Sequence, residues 1–430
     1  MNKKIVSLVV TLTFLLSLVA FMPTSTAQST GIRMKVDLDK LEPDLRTKIQ
    51  TEPTSSEYRV VVVLKAGVSK AEALNCIRSL GGKINAEHNI INAISVSLPA
   101  DKIPALTSLV DVDRILLDEK KYLIPVPQSD DSEIALENFY ETYPYWYAQF
   151  PFWIGADKAW EMGIDGTGVT VAILDTGIFY EHPDLEGVVI DYKVFTSEVD
   201  VFPHDGYGHG TACTGIVAAQ GIVDWDLGVP GIYFKVLGVA PGAKIIGGKV
   251  LTDAGWGWDS WIIEGIEWAV ESGADIISMS LGGLEIPNDG NDPTCLALDA
   301  ATKEGVACFV AAGNSQGLGT VSSAGCGKSV ITVGASTENS FPFWWLGYWP
   351  TRYADGYEND QMIYWSSEGP TADGRVDPDV CAIGAWDFTL DTYPNYLWLQ
   401  FGGTSMATPV AAGTGALVIQ AYRQAHGASP

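Results

Sequence analysis

Apolar and polar positions follow two different spacings from Trp153 onward, and these spacings predict strands and helices in alternation. Residues 169–174 form a continuous apolar run, which is typical of a strand buried on both faces, whereas residues 260–273 carry apolar side chains at helical spacing. Further strands are predicted at residues 243–251, 276–280, 306–312 and 331–334. This alternation predicts an α/β fold built on a doubly wound parallel sheet.

An earlier block, residues 56–122, has a different order of elements. Its patterns predict strands at 58–64, 83–90, 93–98 and 112–117 and helices at 70–80 and 101–110. The order β-α-β-β-α-β predicts a small ferredoxin-like α+β domain. Residues 28–55 are polar and are predicted to be a weakly structured lead-in, and residues 123–150, rich in proline, tyrosine and acids, to be an extended linker.

The first 27 residues resemble a secretory signal. Lys3 and Lys4 precede an apolar segment, and Ser25 and Ala27 supply the small residues that a signal peptidase prefers. We therefore expect residues 1–27 to be removed and the protein to be secreted, extracellular and free of the membrane. An uncleaved membrane anchor is the alternative, because the apolar run is near the length that spans a bilayer.

Charge and cysteine content narrow the function classes. The 430 residues include 26 basic and 52 acidic side chains, which argues against a nucleic-acid partner. The spacings of the six cysteines match no zinc motif. Cys295 and Cys326 are the favoured disulfide pair because both fall in loop-like sequence, but the connectivity stays open. Loss of Cys76 with a removed segment would leave an odd number of thiols.

Ser405 is the first candidate for chemistry. Small residues surround it in residues 402–409, and the apolar run 410–422 predicts a buried helix that starts at or just after it. The free N–H groups of a helix N-terminus suit a negative charge that develops beside the serine. The simpler alternative is that Thr404 or Ser405 caps the helix.

An acid and an imidazole complete the pattern. Asp175 ends a predicted buried strand, and His209 stands between glycines at the start of a predicted helix. The spacing of His209 and Cys213 could suggest a metal pair, but no third ligand is near in the sequence. The chain order aspartate, histidine, serine is the order found in subtilisin.

These stretches resemble the subtilisin-type serine proteases. The matching segments are VAILDTG at 171–177, GHGT at 208–211, GVAPG at 238–242, SMSLGG at 278–283, AAGN at 311–314, SSEGPTADGRVDPDV at 366–380 and GGTSMATP at 402–409. Residues 56–122 are similar to the family's inhibitory propeptide. The resemblance implies a catalytic domain at residues 151–430, which we expect to be C-terminally incomplete because family members commonly continue further.

The resemblance also implies a catalytic or substrate-binding role for each candidate site residue. Ser405 would attack the scissile carbonyl, His209 would take its proton, and Asp175 would orient the imidazole. Asn314 would donate an amide hydrogen bond to the oxyanion. Extended substrate would pair with the segment made of Ser280, Leu281, Gly282 and Gly283. The implied protein is a secreted serine endopeptidase that forms a covalent acyl-enzyme on peptide and protein substrates.

A latent precursor is part of the same expectation. The propeptide would act as an intramolecular inhibitor, and the enzyme would cut it off between Tyr122 and Ala135. The chemistry requires no cofactor, and no catalytic metal is expected. Asp184 lies in a segment that often binds structural calcium in the family. The loop that usually binds the same ion would fall in the insertion after Gln220, whose sequence differs from the family's, so calcium binding at Asp184 is doubtful and stays an open question. The aromatic segment 341–365 is interpreted as a packed surface loop rather than a wall of the substrate site.

Other protein classes fit the sequence less well. Asp175-Thr176-Gly177 is also the aspartic-protease signature, but the chain has no second copy. Sedolisin-like chemistry would need a glutamate in place of His209. A catalytically inactive, peptide-binding protein with the subtilase fold remains the alternative to the enzyme.

Overall fold

The computed structural model describes residues 36–124, 145–148, 150–225, 233–283, 288–337, 361–384 and 387–429, all in the compact unit Val36–Pro430. The expected signal segment, residues 1–27, and most of the aromatic segment 341–365 lie outside these ranges. No helix among the described residues has both the length and the apolar character needed to span a membrane.

The amino-terminal part is a four-stranded antiparallel sheet with helices. Its elements are α1 (Pro43–Thr51), β1 (Glu57–Leu64), α2 (Ala71–Ser79), β2 (Lys83–His88), β3 (Ala93–Pro99), α3 (Ile103–Leu106) and β4 (Val112–Leu117), and the sheet order is β2-β3-β1-β4. From β1 to β4 the element order is the one expected for residues 56–122. The second helix between β1 and β4, α3, is a single turn and is therefore shorter than the predicted helix at residues 101–110.

The lead-in is more ordered than the sequence suggested. A short 3₁₀ turn at Leu38–Lys40 precedes α1, which begins at Pro43, a residue suited to the first turn of a helix. Leu41 and Leu45 are fully buried in the same apolar core as Ile115 of β4. The sequence did not reveal this packing, because the segment is polar apart from a few apolar side chains, of which Leu41 and Leu45 are buried.

The remaining elements include the predicted strands and helices, with further short strands among them. They are β5 (Lys120–Leu123), β6 (Tyr145–Tyr147), α4 (Phe150–Trp153), α5 (Ala156–Glu161), β7 (Thr170–Asp175), β8 (Val189–Val194), α6 (His209–Ala218), β9 (Tyr233–Lys235), β10 (Lys244–Lys249), β11 (Trp256–Trp258), α7 (Asp259–Glu271), β12 (Ile276–Met279), β13 (Leu281–Gly282), α8 (Pro293–Lys303), β14 (Ala307–Ala311), β15 (Ile331–Ser336), β16 (Val380–Ile383), β17 (Asp387–Leu390), β18 (Leu397–Phe401) and α9 (Thr404–His426). Short 3₁₀ turns lie at Pro183–Leu185 and Ala324–Cys326.

A seven-stranded parallel sheet in the order β16-β15-β14-β12-β7-β10-β8 organises this second part. Helices α6 and α9 share one apolar core with the sheet, and α7 and α8 share another. Burial of both faces explains the continuous apolar runs of the strands. The doubly wound α/β prediction is thus confirmed.

The sheet brings its candidate site residues to one edge. Asp175 ends β7, Ser280 directly follows β12, and Asn314 follows β14. These three strands are neighbours, so their carboxyl ends lie side by side, where ligands bind in such folds. Three smaller sheets, β11-β5-β13, β17-β18 and β6-β9, surround the main one.

Candidate active site

Asp175 and His209 meet at the point where β7 ends and α6 begins. The Nδ1 of His209 lies 2.8 Å from Oδ1 of Asp175, and both side chains are buried. Glycines allow this approach: a Cβ on Gly210 would overlap the carbonyl oxygen of Gly177. The hydrogen bond fixes the ring and leaves Nε2 as the atom that faces the rest of the site.

The charge of Asp175 controls the imidazole. Burial opposes the charged form of His209, but the neighbouring Asp175 carboxylate outweighs it and raises the pKa of His209 well above its ordinary value. An imidazolium formed here would therefore be stabilised. This is the electrostatic arrangement that a general base needs when it takes a proton from a nucleophile.

Ser405 lies in the first turn of α9. The N-cap is Gly403, with a φ of 106°, and no side chain caps the helix, so the simple capping alternative for Thr404 or Ser405 does not describe this helix. Ser405 Oγ and His209 Nε2 are both buried and make no hydrogen bond among the described residues. Catalytic hydrogen bonds are often long before substrate binds.

The carbonyl oxygen of Ser405 has partners outside its helix. Pro409 has no N–H, so it cannot donate to the carbonyl oxygen four residues earlier. That oxygen accepts a hydrogen bond of 3.1 Å from Ser280 Oγ and a contact of 3.6 Å from Cys213 Sγ. The start of α9 is therefore tied to Ser280, in the segment expected to pair with substrate, and to α6.

Cys213 lies one helical turn after His209, and its Sγ is 3.8 Å from His209 Nδ1. The ligand atoms of Asp175, His209 and Cys213 all lie within 4.8 Å of one another, so the structure supplies the third metal-ligand candidate that the sequence did not. Metal binding requires a thiolate, but burial raises the pKa of the Cys213 thiol. With Nδ1 already bonded to Asp175, the donor set suits a hydrogen-bonded pair better than a metal.

Asp205 is a site residue that sequence reasoning missed. Its Oδ1 accepts hydrogen bonds from Thr176 Oγ1 (2.8 Å) and Gly208 N (2.8 Å). Its Oδ2 accepts from the backbone N–H (2.9 Å) and the Oγ1 (2.7 Å) of Thr211. The carboxylate is fully buried and joins the residue after Asp175 to the residues that flank His209. Nothing in its local sequence distinguishes it from an ordinary loop aspartate.

Asn314 is oriented by the residue that precedes Ser405. Its Oδ1 accepts hydrogen bonds from Thr404 N (2.9 Å) and Thr404 Oγ1 (3.0 Å). The N–H of Gly313 donates to Thr404 Oγ1 at 3.1 Å. Because Oδ1 of Asn314 is directed at Thr404, the amide NH₂ points away from Thr404. Thr404 thus fixes the orientation of Asn314, a function that the sequence did not reveal.

A groove runs past these residues. Gly282 and Gly283 line a cavity of about 740 Å³ together with Gly313, Asn314 and Ile124. Strand β5 lies between β13 and β11, antiparallel to both, with Leu123 opposite Leu281 and Tyr122 opposite Gly282. Residues 120–123, expected at the junction of propeptide and linker, therefore occupy the place of an added strand. The second wall, β11, was not anticipated from the sequence.

Asp184 does not offer a calcium site. Its Oδ1 accepts hydrogen bonds from the backbone N–H groups of Ile222 (2.7 Å) and Val223 (2.9 Å), and its Oδ2 accepts one of 3.0 Å from Trp225 Nε1. Three N–H donors directed at one carboxylate do not fit a cation, which needs oxygen ligands. The insertion after Gln220 supplies these donors.

The cysteines are thiols in this structure, including Cys295 and Cys326, which the sequence favoured as a bridge. Cys295 Sγ instead contacts the carbonyl oxygen of Ser323 at 2.9 Å, and Cys326 Sγ contacts that of Val321 at 3.7 Å. The loop-like appearance of both positions was misleading, since Cys295 lies in α8 and Cys326 in a 3₁₀ turn.

Comparisons with known proteins agree with this geometry. Residues 166–429 match the model of the subtilase family, Peptidase_S8. The chain is 38% identical to serine protease AprX of Bacillus subtilis (strain 168) over 279 residues, which cover 60% of this chain and 58% of AprX. It is 30% identical to subtilisin E of the same organism over 373 residues, which cover 86% of this chain and 82% of subtilisin E.

Solved structures also resemble the fold. Fervidolysin from Fervidobacterium pennivorans, described as a keratinolytic enzyme related to subtilisin, superposes with a TM-score of 0.61 at 23% identity, covering 86% of this chain and 55% of its own. The family match extends over more than half of the chain and includes Asp175, His209 and Ser405. This protein therefore belongs to the subtilase family of serine endopeptidases.

Proposed function

We propose that this chain is the latent precursor of a secreted serine endopeptidase in which Ser405, His209 and Asp175 form the catalytic triad. The hydrogen bond of 2.8 Å between Asp175 and His209, next to the start of the Ser405 helix, is the observation that carries the proposal. Secretion follows from the signal-like pattern of residues 1–27.

Each of these side chains has a distinct role in the proposed reaction. His209 Nε2 takes the proton of Ser405 Oγ as the oxygen attacks the scissile carbonyl. It then gives this proton to the leaving amine as the C–N bond breaks and the covalent acyl-enzyme forms. Asp175 holds the imidazole and stabilises its charged form. The Asn314 amide and the N–H of Ser405 donate hydrogen bonds to the oxyanion. Water then releases the acyl group, and no cofactor takes part.

Residues 36–124 act as an intramolecular inhibitor in this proposal. Their last strand, β5, fills the groove that an extended substrate would use, since Leu281 and Gly282 pair with it and Gly283 lines the same cavity. The interface includes charged contacts beyond the groove: Asp118 Oδ1 accepts a hydrogen bond from Ser260 N (2.9 Å) at the start of α7. Peptide and protein substrates bind once this segment has been cut between Tyr122 and Ala135 and released.

The test is labelling of the secreted, full-length protein with a fluorophosphonate probe, with Ser405→Ala as control. N-terminal sequencing of the labelled species follows. We expect label only with Ser405 intact, on a chain that starts between Tyr122 and Ala135. Label on a chain that starts before Arg114 would contradict the processing site. A folded, processed protein that takes no label would be a catalytically inactive peptide-binding relative.

A further inference from the structure

Lys121 is a fully buried lysine in the strand that fills the groove. Its side chain is 1% exposed, and its Nζ lies 3.6 Å from Oδ1 of Asp259, whose side chain is 0% exposed. Lysine is almost never fully buried unless it is paired with an opposite charge. The two residues therefore define a closed pocket for a cationic side chain, here called the Asp259 pocket.

The acidic wall of this pocket belongs to the catalytic domain. Asp259 is the first residue of α7, and its Oδ1 accepts a hydrogen bond of 2.5 Å from Thr294 Oγ1 at the start of α8. Burial raises the pKa of Asp259, the Lys121 ammonium opposes that rise, and the charge of nearby Asp292 adds to it. Asp259, Thr294 and Asp292 remain on the enzyme after residues 36–124 have left.

Besides the lysine, the inhibitory segment gives Asp259 a main-chain N–H, a group that any substrate peptide also has. Oδ2 of Asp259 accepts a hydrogen bond of 3.0 Å from the backbone N–H of Glu119. The backbones of Lys121 and Tyr122 pair with Gly257 and Gly282. Because these contacts use main-chain atoms, another peptide of different sequence would take the same register.

The register places Lys121 relative to the nucleophile. Tyr122 is opposite Gly282 and Leu123 is opposite Leu281, so the next residue, Ile124, comes opposite Ser280. Ser280 Oγ donates to the carbonyl oxygen of Ser405 at 3.1 Å. Ile124 is therefore the residue presented to Ser405, and Lys121 is the fourth residue before the bond that the serine would attack.

Side chains alternate along this strand. Lys121 is buried against the enzyme, whereas Tyr122 is 51% exposed. In an extended peptide, alternate side chains face the enzyme, and the side chain of Lys121 is one that the enzyme encloses. An uncharged side chain there would leave Asp259 buried without its cationic partner, which is costly.

We propose that the Asp259 pocket makes this enzyme select substrates with lysine or arginine at the fourth residue before the scissile bond. The inference rests on the proposed endopeptidase function. The inhibitory segment then binds as a copy of a preferred substrate.

The first experiment uses internally quenched peptides with the mature enzyme. One peptide carries the sequence Lys-Lys-Tyr-Leu-Ile-Ala-Gly, and the other has norleucine in place of the second lysine, which removes the charge but keeps the chain length. We expect kcat/KM to be roughly tenfold or more higher for the lysine peptide. Asp259→Asn should bring the ratio close to one, while Glu271→Gln, at the other end of α7, should leave it unchanged. Equal rates for both peptides with the unmodified enzyme would overturn the proposal, as would a preference that survives Asp259→Asn.

A second experiment does not depend on turnover. In the uncut full-length Ser405→Ala precursor, Lys121→Met, Asp259→Asn and the double variant are compared by thermal unfolding. We expect each single variant to lower Tm, and the double variant to lower it by clearly less than the sum of the two single decreases. A decrease equal to that sum would contradict an interaction between Lys121 and Asp259. Fluorophosphonate labelling of the mature enzyme used with the peptides separates the two proposals. Labelled enzyme that shows no preference between the peptides contradicts only the lysine selectivity. Enzyme that takes no label contradicts the endopeptidase function, and the unfolding data on the precursor then decide whether the Asp259 pocket exists.

Discussion

The Nδ1 of His209 and the Oδ1 of Asp175 lie 2.8 Å apart in a buried environment, although 34 positions separate them in the chain. This contact makes Asp175→Asn an informative substitution, because the amide cannot stabilise an imidazolium as a carboxylate does. We expect kcat/KM to fall about 10³–10⁴-fold, as when a triad carboxylate is lost in other serine proteases. Asp157→Asn, a partly exposed acid on α5, is the matched control and should keep full activity.

The same contact sets the pH dependence of the reaction. The base must be neutral to accept a proton, and the pKa of His209 is raised above its ordinary value of 6.5 by Asp175, against the effect of burial. Activity should therefore be lost as pH falls through that raised pKa, with the acid limb of kcat/KM above pH 6.5. A limb below pH 6 in a pH–rate profile would contradict the raised pKa of His209.

Cys213 should make the enzyme sensitive to mercurials. Its Sγ is 3.8 Å from His209 Nδ1 and 3.6 Å from the carbonyl oxygen of Ser405, so a mercury adduct has no room without displacing the imidazole. We expect near-complete loss of activity on incubation with a mercurial, and Cys213→Ala should be active and resistant. Cys381 is exposed, so Cys381→Ser should remain as sensitive as the unmodified enzyme. Full activity of the unmodified protein in the mercurial would refute the prediction.

Trp225 should stabilise the protein through Asp184. Trp225→Phe removes the donor of a 3.0 Å hydrogen bond to Oδ2 of a buried carboxylate, and losses of this kind cost about 1–3 kcal/mol. Thermal unfolding should show a lower Tm for the variant. Added calcium should not restore it, because Oδ1 of Asp184 still faces the N–H groups of Ile222 and Val223. Recovery of Tm in calcium would mean that a cation site forms there.

Glu42 should make the uncut precursor less stable at high pH. Burial raises the pKa of this carboxyl to about 7, with a smaller contribution from the charge of Glu119. A folded-state pKa above the unfolded value of 4.5 means that the folded state binds the proton more tightly, so stability is lost as pH rises between 4.5 and 7.

Glu42→Gln tests this directly, because the amide oxygen still accepts the hydrogen bond from Leu117 N. In the Ser405→Ala precursor we expect the free energy of unfolding to rise by about 3 kcal/mol at pH 8 and to change little at pH 4.5. Glu52→Gln, an exposed acid beyond the end of α1, should change little at either pH. A precursor whose Tm is the same for Glu42 and its glutamine variant at both pH values would exclude the effect.

Much of the site was readable from short segments. Asp175, His209 and Ser405 each follow or begin an element whose apolar pattern is local, and the glycines beside them mark places where backbones approach closely. The parallel sheet followed from continuous apolar strands, and the small antiparallel unit followed from its order of elements. The ordered lead-in and the thiol state of Cys295 and Cys326 were missed, because a helix with two buried leucines and a cysteine inside a helix leave weak local patterns.

The amino-acid sequence by itself thus determined the main strands and helices, the sheet type and the candidate catalytic residues, since hydrophobic spacing and turn residues act over a few positions. Only the tertiary structure decided which distant groups meet. The pairing of Lys121 with Asp259, the donors that enclose Asp184, and the four hydrogen bonds of Asp205 all join segments that no local pattern connects. Burial and charge at these positions depend on the packing of the whole chain, and so do substrate selection and metal binding.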